Sequence, residues 1–328
     1  MNQPADPIDA LSEKAEHFDV IIVGAGLSGV GGAYHLTQQC PGTTFVVLEG
    51  QDSYGGTWYT HRFPGIRSDS DLHTFGYRFK PWIGPPIATA AEIRKYMGEV
   101  IAAHHLDQHI RYRHQIVSAQ WSSRDQRWTI KAIRKDDHQP LLFTARFLWM
   151  CQGYYRHSEG YTPAWEGMSA FKGRIVHPQS WPDDLDYRDK NVVVIGSGAT
   201  AATLIPAIAP EVRHVTMLQR SPTFFRTGRN AIEIAEELRK LDVQEDWIHE
   251  IVRRKITYEQ TVFTKRTYTE PEVVKQELLA GVRAYLGEDY DVNKHFLPRY
   301  RPWRQRIAFI PDGDLFQAIK SGKASVAT

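Results

Sequence analysis

Cysteine is scarce in this sequence, which contains only Cys40 and Cys151 among its 328 residues. The two residues form no CxxC or similar pair, so the sequence predicts neither a disulfide framework nor a zinc site nor a redox-active dithiol. Long apolar runs are also lacking, because no stretch approaches the roughly 18 residues that a membrane-spanning helix needs. We therefore expect a cytoplasmic protein without a metal site or a transmembrane segment, while peripheral contact with a membrane stays open.

An excess of charge of either sign is missing too. The 40 Lys and Arg residues nearly balance the 38 Asp and Glu residues, and no basic run is interleaved with aromatic side chains. A nucleic-acid partner is therefore not expected. Residues 1–17 are polar and acidic, without the basic start and apolar centre of a signal peptide, and they are predicted to be a flexible leader. The remaining length is sufficient for two globular domains.

A short apolar run rich in β-branched residues, residues 18–24, ends at a glycine-rich turn. The turn reads Gly24-Ala-Gly26-Leu-Ser28-Gly29 and precedes a helix-like pattern over residues 30–39. This order of strand, turn and helix predicts a dinucleotide site, since glycines let the backbone approach a pyrophosphate and the helix N-terminus supplies amide donors. The next apolar run ends in Glu49, whose carboxylate is suited to accept hydrogen bonds from a ribose diol.

The same order of elements returns in the second half of the chain. After the run from Asn191 to Ile195 the turn is Gly196-Ser197-Gly198-Ala199-Thr200-Ala201, and the following strand ends in Gln219-Arg220-Ser221. A guanidinium attracts the 2′-phosphate that a carboxylate repels, so the sequence predicts FAD at the first turn and NADPH at the second. The alternative is that Arg220 is a solvent-exposed arginine near a strand end.

The rest of the chain completes an α/β pattern. Helices are predicted over residues 92–104 and 311–319, and in an insertion from about 228 to 297 to which no chemistry is assigned. Strands are predicted over residues 116–121, 127–133 and 141–144, which form a small β-meander. Two more strands are predicted over residues 147–153 and 302–309. We therefore predict two Rossmann-like dinucleotide-binding domains. The first, for FAD, covers residues 18–160, and the second, for NADP, covers residues 161–328.

Two further motifs carry a family resemblance. The first is F-x-G-x-x-x-H-x-x-x-W-P at Phe171, Gly173, His177 and Trp181, in a connector between the two turns that is predicted to act as a hinge. The second is G-x-W-x-x-x-x-F-P-G-x-x-x-D, which begins at Gly56 and ends at Asp69. Together they resemble the fingerprints of class B flavoprotein monooxygenases of the Baeyer–Villiger type. Residues 62–72 and 196–222 are most similar to the ethionamide-activating branch of that family.

The residues alone leave simpler roles open for these positions. A single histidine in such a connector is typically a structural hydrogen bonder, Trp58 is equally suited to packing, and Asp69, followed by Ser70 and Asp71, is equally suited to capping a helix.

The resemblance implies a set of site residues. Arg306 would stabilise negative charge that develops on oxygen beside the flavin, and Asp69 would orient its guanidinium; Arg304 fits the spacing less well, and the residues alone suggest two strand-edge charges. FAD contacts are assigned to Gly24, Gly26, Ser28, Gly29, Glu49, Gly56, Thr57, Trp58, Asp69, Ile116 and Gly153. NADP contacts are assigned to Arg67, Ser68, Asp69, Gly196, Ser197, Gly198, Ala199, Thr200, Ala201, Arg220 and Ser221.

The function that the resemblance implies is an NADPH- and O2-dependent monooxygenase that converts ketones into esters or lactones, or oxidises sulfides or thioamides. Family members continue beyond the position of Thr328, so we expect the chain to be truncated and to lack the last part of its flavin domain. The alternatives are a nitrogen- or sulfur-oxygenating flavoprotein, an NADPH oxidase, or a nucleotide-binding remnant without activity. The physiological substrate and the oligomeric state are not predicted.

Overall fold

The structure is a computed structural model that describes residues 15–328. Its strands are β1 (Glu16–Val23), β2 (Phe45–Leu48), β3 (Ile110–Arg111), β4 (His114–Ser122), β5 (Arg127–Arg134), β6 (Gln139–Met150), β7 (Asn191–Ile195), β8 (His214–Leu218), β9 (Phe225–Gly228), β10 (Ala308–Pro311) and β11 (Ala324–Ala327). Its helices are α1 (Leu27–Gln39), α2 (Thr57–Thr60), α3 (Leu72–Phe75), α4 (Ala90–Ala103), α5 (Ala199–Ile208), α6 (Glu233–Lys240), α7 (Glu245–Thr269), α8 (Pro271–Leu286), α9 (Val292–Phe296) and α10 (Asp314–Lys320). Most of the predicted leader lies outside the described residues.

The chain divides into two compact units. The first contains the described residues up to 60 together with residues 91–158, and the second contains residues 61–90 and 159–328. The predicted flavin domain, residues 18–160, was drawn without a break, whereas the structure assigns residues 61–90 to the second unit. The physical reason is packing, because Phe63 is 3% exposed within the second unit's core and Arg67 forms an ion pair with Asp314.

The first unit is built on one sheet with the strand order β3-β2-β1-β6-β5-β4. Strands β3, β2, β1 and β6 run parallel, and β6, β5 and β4 run antiparallel. Ile21 and Phe143, both fully buried, belong to an apolar cluster on this sheet. Because the second half of β1 and the whole of β2 are parallel and largely buried, residues 20–23 and 45–48 read as continuous apolar runs.

One prediction for this unit was wrong in detail. The sequence suggested separate strands over residues 141–144 and 147–153, but β6 is a single strand that pairs with β5 on one side and with β1 on the other. No glycine, proline, asparagine or aspartate stands between residues 144 and 147, so nothing there favours a turn. The meander is therefore part of the dinucleotide-binding sheet.

The second unit contains a parallel sheet in the order β11-β8-β7 and a parallel pair of β9 and β10. Helix α5 follows β7, as the second glycine turn predicts, and α6 to α9 occupy the region expected to be helical. The strand predicted over residues 302–309 is shorter, because Trp303 adopts a left-handed backbone conformation (φ 64°) and the strand begins only at Ala308. The α/β fold with two strand–turn–helix units is confirmed.

Among the described helices, none combines the length and the apolar content that crossing a lipid bilayer requires.

Candidate functional site

The first glycine turn is closely packed. Gly24 has a φ of 97°, and a Cβ atom there would lie 2.9 Å from the carbonyl oxygen of Cys151. A Cβ atom on Gly29 would lie 1.8 Å from the carbonyl oxygen of Gly24, so only glycine allows α1 to approach the end of β1 this closely. Gly26 occupies the N-cap position of α1 and has no side chain to cover the helix end.

Glu49 is fixed beside this turn. Its side chain is 7% exposed, one carboxylate oxygen accepts the N–H of Ala25 at 2.7 Å, and the other accepts the N–H of Gln51 at 2.7 Å. Each carboxylate oxygen can accept more than one hydrogen bond, so this arrangement leaves acceptor capacity for hydroxyl groups of a ribose. The sequence placed Glu49 at the end of β2, and the structure shows what holds it there.

Among the remaining residues predicted to contact FAD, Asp69 lies in the second unit and the others lie in the first. Gly56 (φ 54°) approaches the turn, since a Cβ atom on it would lie 3.3 Å from Cα of Gly26, and Thr57 and Trp58 then begin α2. Ile116 packs partly buried on the sheet cluster, close after His114, whose N–H donates to the carbonyl of Glu49. Ser28 and Gly153 are exposed. Their contacts with FAD stay predictions.

The second glycine turn is more open. Gly196 has a φ of 123° and Gly198 is the N-cap of α5, and within 4 Å of a Cβ atom on either one there is no atom of the described chain. Ser197 is held by a 2.9 Å hydrogen bond to the hydroxyl of Thr223. Ala201, 4% exposed, stands where the first turn has Gly29. The backbone in front of α5 is therefore accessible to a ligand such as a pyrophosphate.

The end of β8 differs chemically from the end of β2. Gln219, the counterpart of Glu49, is buried, and its amide donates to the carbonyl of His295 at 2.7 Å and to the hydroxyl of Thr328 at 2.8 Å. Arg220 is exposed and has no hydrogen bond or ion pair with any residue between 15 and 328. Its guanidinium is therefore available for a 2′-phosphate. The same exposure also agrees with the alternative that Arg220 is a solvent-exposed arginine near a strand end.

Arg67 and Ser68 are two further predicted NADP contacts; Arg67 joins residues 61–90 to the rest of the second unit, and Ser68 joins two parts of that segment. Arg67 donates to both carboxylate oxygens of Asp314, at 2.5 and 3.2 Å. Ser68 is 4% exposed, and its hydroxyl accepts the N–H of Ala88 at 3.1 Å. These contacts explain the observed positions of both residues; their contacts with NADP stay predictions.

Asp69 and Arg306 are in contact in the second unit. Nη2 of Arg306 donates to Oδ1 of Asp69 at 2.5 Å and to the hydroxyl of Ser70 at 3.3 Å. The Asp69 side chain is 26% exposed and that of Arg306 is 57% exposed. Because a guanidinium has five N–H donors, those not facing Asp69 can serve a ligand.

The helix-capping role considered for Asp69 belongs to its neighbour Asp71. The Asp71 carboxylate accepts the N–H of Thr74 at 2.8 Å and so caps α3, and it also accepts the side-chain amide of Gln260 at 3.0 Å. Asp69 is therefore left for Arg306.

The loop that carries Arg306 is anchored at both ends. The guanidinium carbon of Arg301 lies 3.8 Å from the ring centre of Tyr268, and Arg301 also donates to the carbonyl of Thr267 at 3.3 Å. At the other end Ile307 is 7% exposed, and the N–H of Ala308 donates to the carbonyl of Phe224 at 3.0 Å. The pair of Arg306 and Asp69 is thus held by structure on both sides.

A cleft of about 900 Å³ contains this ion pair. Its wall includes one face of α7, which sequence reasoning missed: Ile256, Gln260, Phe263 and Thr264. The i, i+4, i+7 and i+8 spacing of these residues marks one side of a helix, but in a helix this polar the spacing alone does not distinguish a ligand site from packing. A volume of this size suits a small organic molecule.

The predicted hinge motif has local structural roles within the second unit. Nδ1 of His177 accepts the N–H of Gln179 at 3.2 Å, and its ring fills the space beside Gly160, where a Cβ atom would lie 2.1 Å away. Trp181 packs on the core, edge-on to Tyr187 with ring centres 5.9 Å apart. Phe171 is exposed, and its ring lies against Gly173. The structural hydrogen bond considered for His177 is therefore present.

Comparison with known protein families identifies two matching regions. The family model described as a flavin-binding monooxygenase-like family matches residues 85–229, and that of an NAD(P)-binding Rossmann-like domain matches residues 22–82.

Among curated proteins, the FAD-containing monooxygenase EthA of Mycobacterium tuberculosis is 46% identical over 316 residues, which are 95% of this chain and 64% of EthA. A probable FAD-binding monooxygenase, AlmA, of an Acinetobacter species is 42% identical over 312 residues, 94% of this chain and 62% of AlmA. The chain thus spans less than two thirds of the length of these relatives.

Solved structures show the same fold. An oxidised steroid monooxygenase bound to NADP matches with a TM-score of 0.74 at 24% identity, over 95% of this chain and 65% of that one. A cyclohexanone-bound cyclohexanone monooxygenase matches with a TM-score of 0.72 at 20% identity, over 96% of this chain and 66% of that one.

Proposed function

Since the chain belongs to the flavin-binding monooxygenase-like family, we propose that it carries the cofactor and substrate sites of an NADPH-dependent FAD monooxygenase. The reaction is the insertion of one oxygen atom of O2 beside a ketone carbonyl, as in a Baeyer–Villiger oxidation, or its transfer to a soft sulfur atom. The observation that carries this proposal is the ion pair of Asp69 and Arg306 on the wall of the cleft.

The first unit fits FAD at the turn after β1. The close packing of Gly29 on Gly24 sets the start of α1 against the strand end, and Gly26 leaves this helix end without a side chain. The amide groups and the helix dipole there favour a pyrophosphate. Glu49, already aligned by the N–H of Ala25, is suited to a ribose diol.

The second unit fits NADPH at the turn after β7. The open space around Gly196 and Gly198 leaves room for a pyrophosphate at the start of α5. At the end of β8 the neutral Gln219 stands where the first unit has the acidic Glu49, so no carboxylate is there to repel a 2′-phosphate. The next residue, Arg220, adds a positive charge that attracts the phosphate. These two differences favour NADPH over NADH.

The side chains of the cleft bind the substrate and stabilise charge. When bound, FAD supplies the redox chemistry, taking electrons from NADPH and activating O2. Arg306 presents a fixed positive charge to oxygen that becomes negative during the transfer, and Asp69 holds the guanidinium in place before the reaction begins. A substrate bound against the apolar side chains of the cleft displaces water from the pair, which strengthens this electrostatic effect.

The proposal is tested with the purified chain in three steps. Bound flavin is measured by its visible absorbance, its reduction by NADPH is followed without oxygen, and products are then identified with a linear methyl ketone and with an aryl methyl sulfide. We expect reduction by NADPH and formation of an ester or a sulfoxide. NADPH consumption with peroxide as the only product would indicate an oxidase instead, and a chain that binds no flavin would remove the proposal.

Variants at the ion pair separate the role of Arg306 from general damage. Arg306→Ala should leave flavin reduction largely intact while product formation falls by at least about 100-fold, the usual effect of removing a group that stabilises an oxyanion. Arg304→Ala is the matched control, since Arg304 lines the same cleft without contacting Asp69. Full product formation by Arg306→Ala would exclude the proposed role.

A further inference from the structure

The cleft of Asp69 and Arg306 has an apolar interior. The side chains that make it so come from α3, the segment after it, the N-cap of α6, α7, and β10 with the residue before it: Phe75, Pro86, Ile87, Ile232, Ile256, Phe263, Ile307 and Phe309. A surface of this kind favours an apolar chain, because each CH2 group removed from water contributes about 0.8 kcal/mol.

The charges in this cleft do not balance. Arginine contributes four lining residues, whereas carboxylates contribute three, Asp69, Asp71 and Glu259. Two of the arginines are neutralised locally, Arg306 by Asp69 and Arg229 by Glu233 at 2.8 Å. Arg226 and Arg304 have no carboxylate partner among residues 15–328. An apolar cleft with uncompensated guanidinium groups is suited to a ligand that brings its own negative charge.

Arg226 is the better positioned of these two residues. It lies on β9 beside Phe309 of β10 in the parallel register, and its guanidinium carbon is 4.9 Å from the ring centre of Phe263 on α7. The ring of Phe263 on α7 therefore holds a guanidinium whose N–H donors stay free for a ligand. Phe309 is three residues beyond Arg306, so the backbones of Arg226 and Arg306 are on the order of 10 Å apart.

We infer that the substrate is an amphipathic ketone: its apolar chain lies along the cleft, its carbonyl is next to Arg306, and a carboxylate at the other end is bound by Arg226. This inference rests on the proposed function and adds the substrate class to it. The distance between the two arginines requires several methylene groups between the carbonyl and the carboxylate. A cofactor phosphate could also offer anionic oxygens to Arg226, so the test separates the two sources.

The test compares a series of linear methyl ketones that end in a carboxylate with the methyl esters of the same acids. The two members of each pair differ only in the negative charge. Wild-type protein should bind the acid about tenfold more tightly than its ester, equivalent to about 1.4 kcal/mol, and should have a correspondingly lower KM for it. Affinity is measured by calorimetry with the purified chain, which requires no turnover.

Arg226→Met keeps the length and apolar character of the side chain and removes the charge. It should abolish the preference for the acid, because the KM for the acid rises to that for the ester, while the KM for NADPH stays unchanged; Arg226→Lys should restore part of the preference. Arg229→Met is the control, because Glu233 already neutralises that guanidinium. Thermal unfolding of each variant confirms that it is folded.

Three results would overturn the inference. The first is equal binding of acid and ester by the wild-type chain, and the second is an unchanged preference in Arg226→Met. The third is a rise of the KM for NADPH in Arg226→Met with both ketones, which would assign the guanidinium to the cofactor. If no ketone is converted, the proposed function fails, yet the calorimetric comparison of acid with ester still decides the role of Arg226.

Discussion

Acid should destabilise the second unit through a buried histidine on α3. His73 is 2% exposed, and burial lowers its pKa to about 4, while the nearby Asp71 carboxylate opposes this shift and His249 and Arg239 add to it. Burial also lowers the pKa of His249 on α7, next to Arg253 and Glu250. Neither ring makes a well-aligned hydrogen bond to another described residue. Nearby carboxylates and backbone groups compensate a proton on either ring only in part, so burial dominates and protonation is costly.

The sign and size of the effect follow from proton linkage. The native state keeps His73 neutral down to a pKa of about 4, whereas the unfolded chain binds a proton at the ordinary value of 6.5. The stability is therefore fully present above pH 6.5 and is lost as the pH falls toward 4. For a pKa difference of this size, the free energy of unfolding at about pH 4.5 should be lower by about 2–3 kcal/mol from this residue alone.

The assay compares wild type with His73→Leu, which fills the buried site without a titratable group. Because the two units need not unfold together, hydrogen exchange of residues 72–85 and of α7 is measured beside urea unfolding at neutral and acid pH. We expect the loss of stability on acidification to be smaller by about 2 kcal/mol in the variant. His35→Gln, on the exposed side of α1, should behave like wild type. An acid-induced loss in His73→Leu as large as that of wild type would refute the reasoning.

Three further outcomes are expected. Gly29→Ala should lower the free energy of unfolding in urea by at least about 3 kcal/mol, because its Cβ atom would meet the carbonyl of Gly24. Gly198→Ala is the control: Gly198 has a φ of −81° and open space among the described residues, so the change in stability should be less than about 1 kcal/mol. Equal losses in the two variants would contradict the difference in packing. Asp71→Ala should lower stability by about 1 kcal/mol through loss of the α3 cap, and Asp71→Asn should keep most of it; equal effects in thermal unfolding would speak against a cap. Arg220→Ala should raise the KM for NADPH at least about tenfold and that for NADH little, since only NADPH carries the 2′-phosphate; equal rises would count against that contact.

Local patterns were sufficient for the two strand–turn–helix units. In each, a β-branched run ends in glycine and a helix follows, so the pattern that predicts the unit lies in one short stretch, residues 16–39 or 191–208. The assignment of residues 61–90 to the second unit has no such local signal. It depends on the burial of Phe63 against residues more than a hundred positions away.

The candidate site shows the same division. Glu49 could be placed from its position at a strand end, but the pairing of Asp69 with Arg306 was expected from the family resemblance, because no spacing rule connects positions 237 residues apart. The contact of the Arg226 guanidinium with Phe263 was not predicted, since a single arginine in a short strand has the same local pattern as any surface arginine. Only the fold brings Phe263 beneath it.

The crossing of residues 61–90 into the second unit has a consequence for synthesis on the ribosome. Arg67 emerges 247 residues before Asp314, with which it forms its ion pair. At roughly 5–20 residues per second, the nascent segment waits on the order of ten to fifty seconds for its partners. During that interval Phe63 and its neighbours lack the core that later buries them, so a chaperone that shields this stretch should raise the yield of native protein more than one that acts after release.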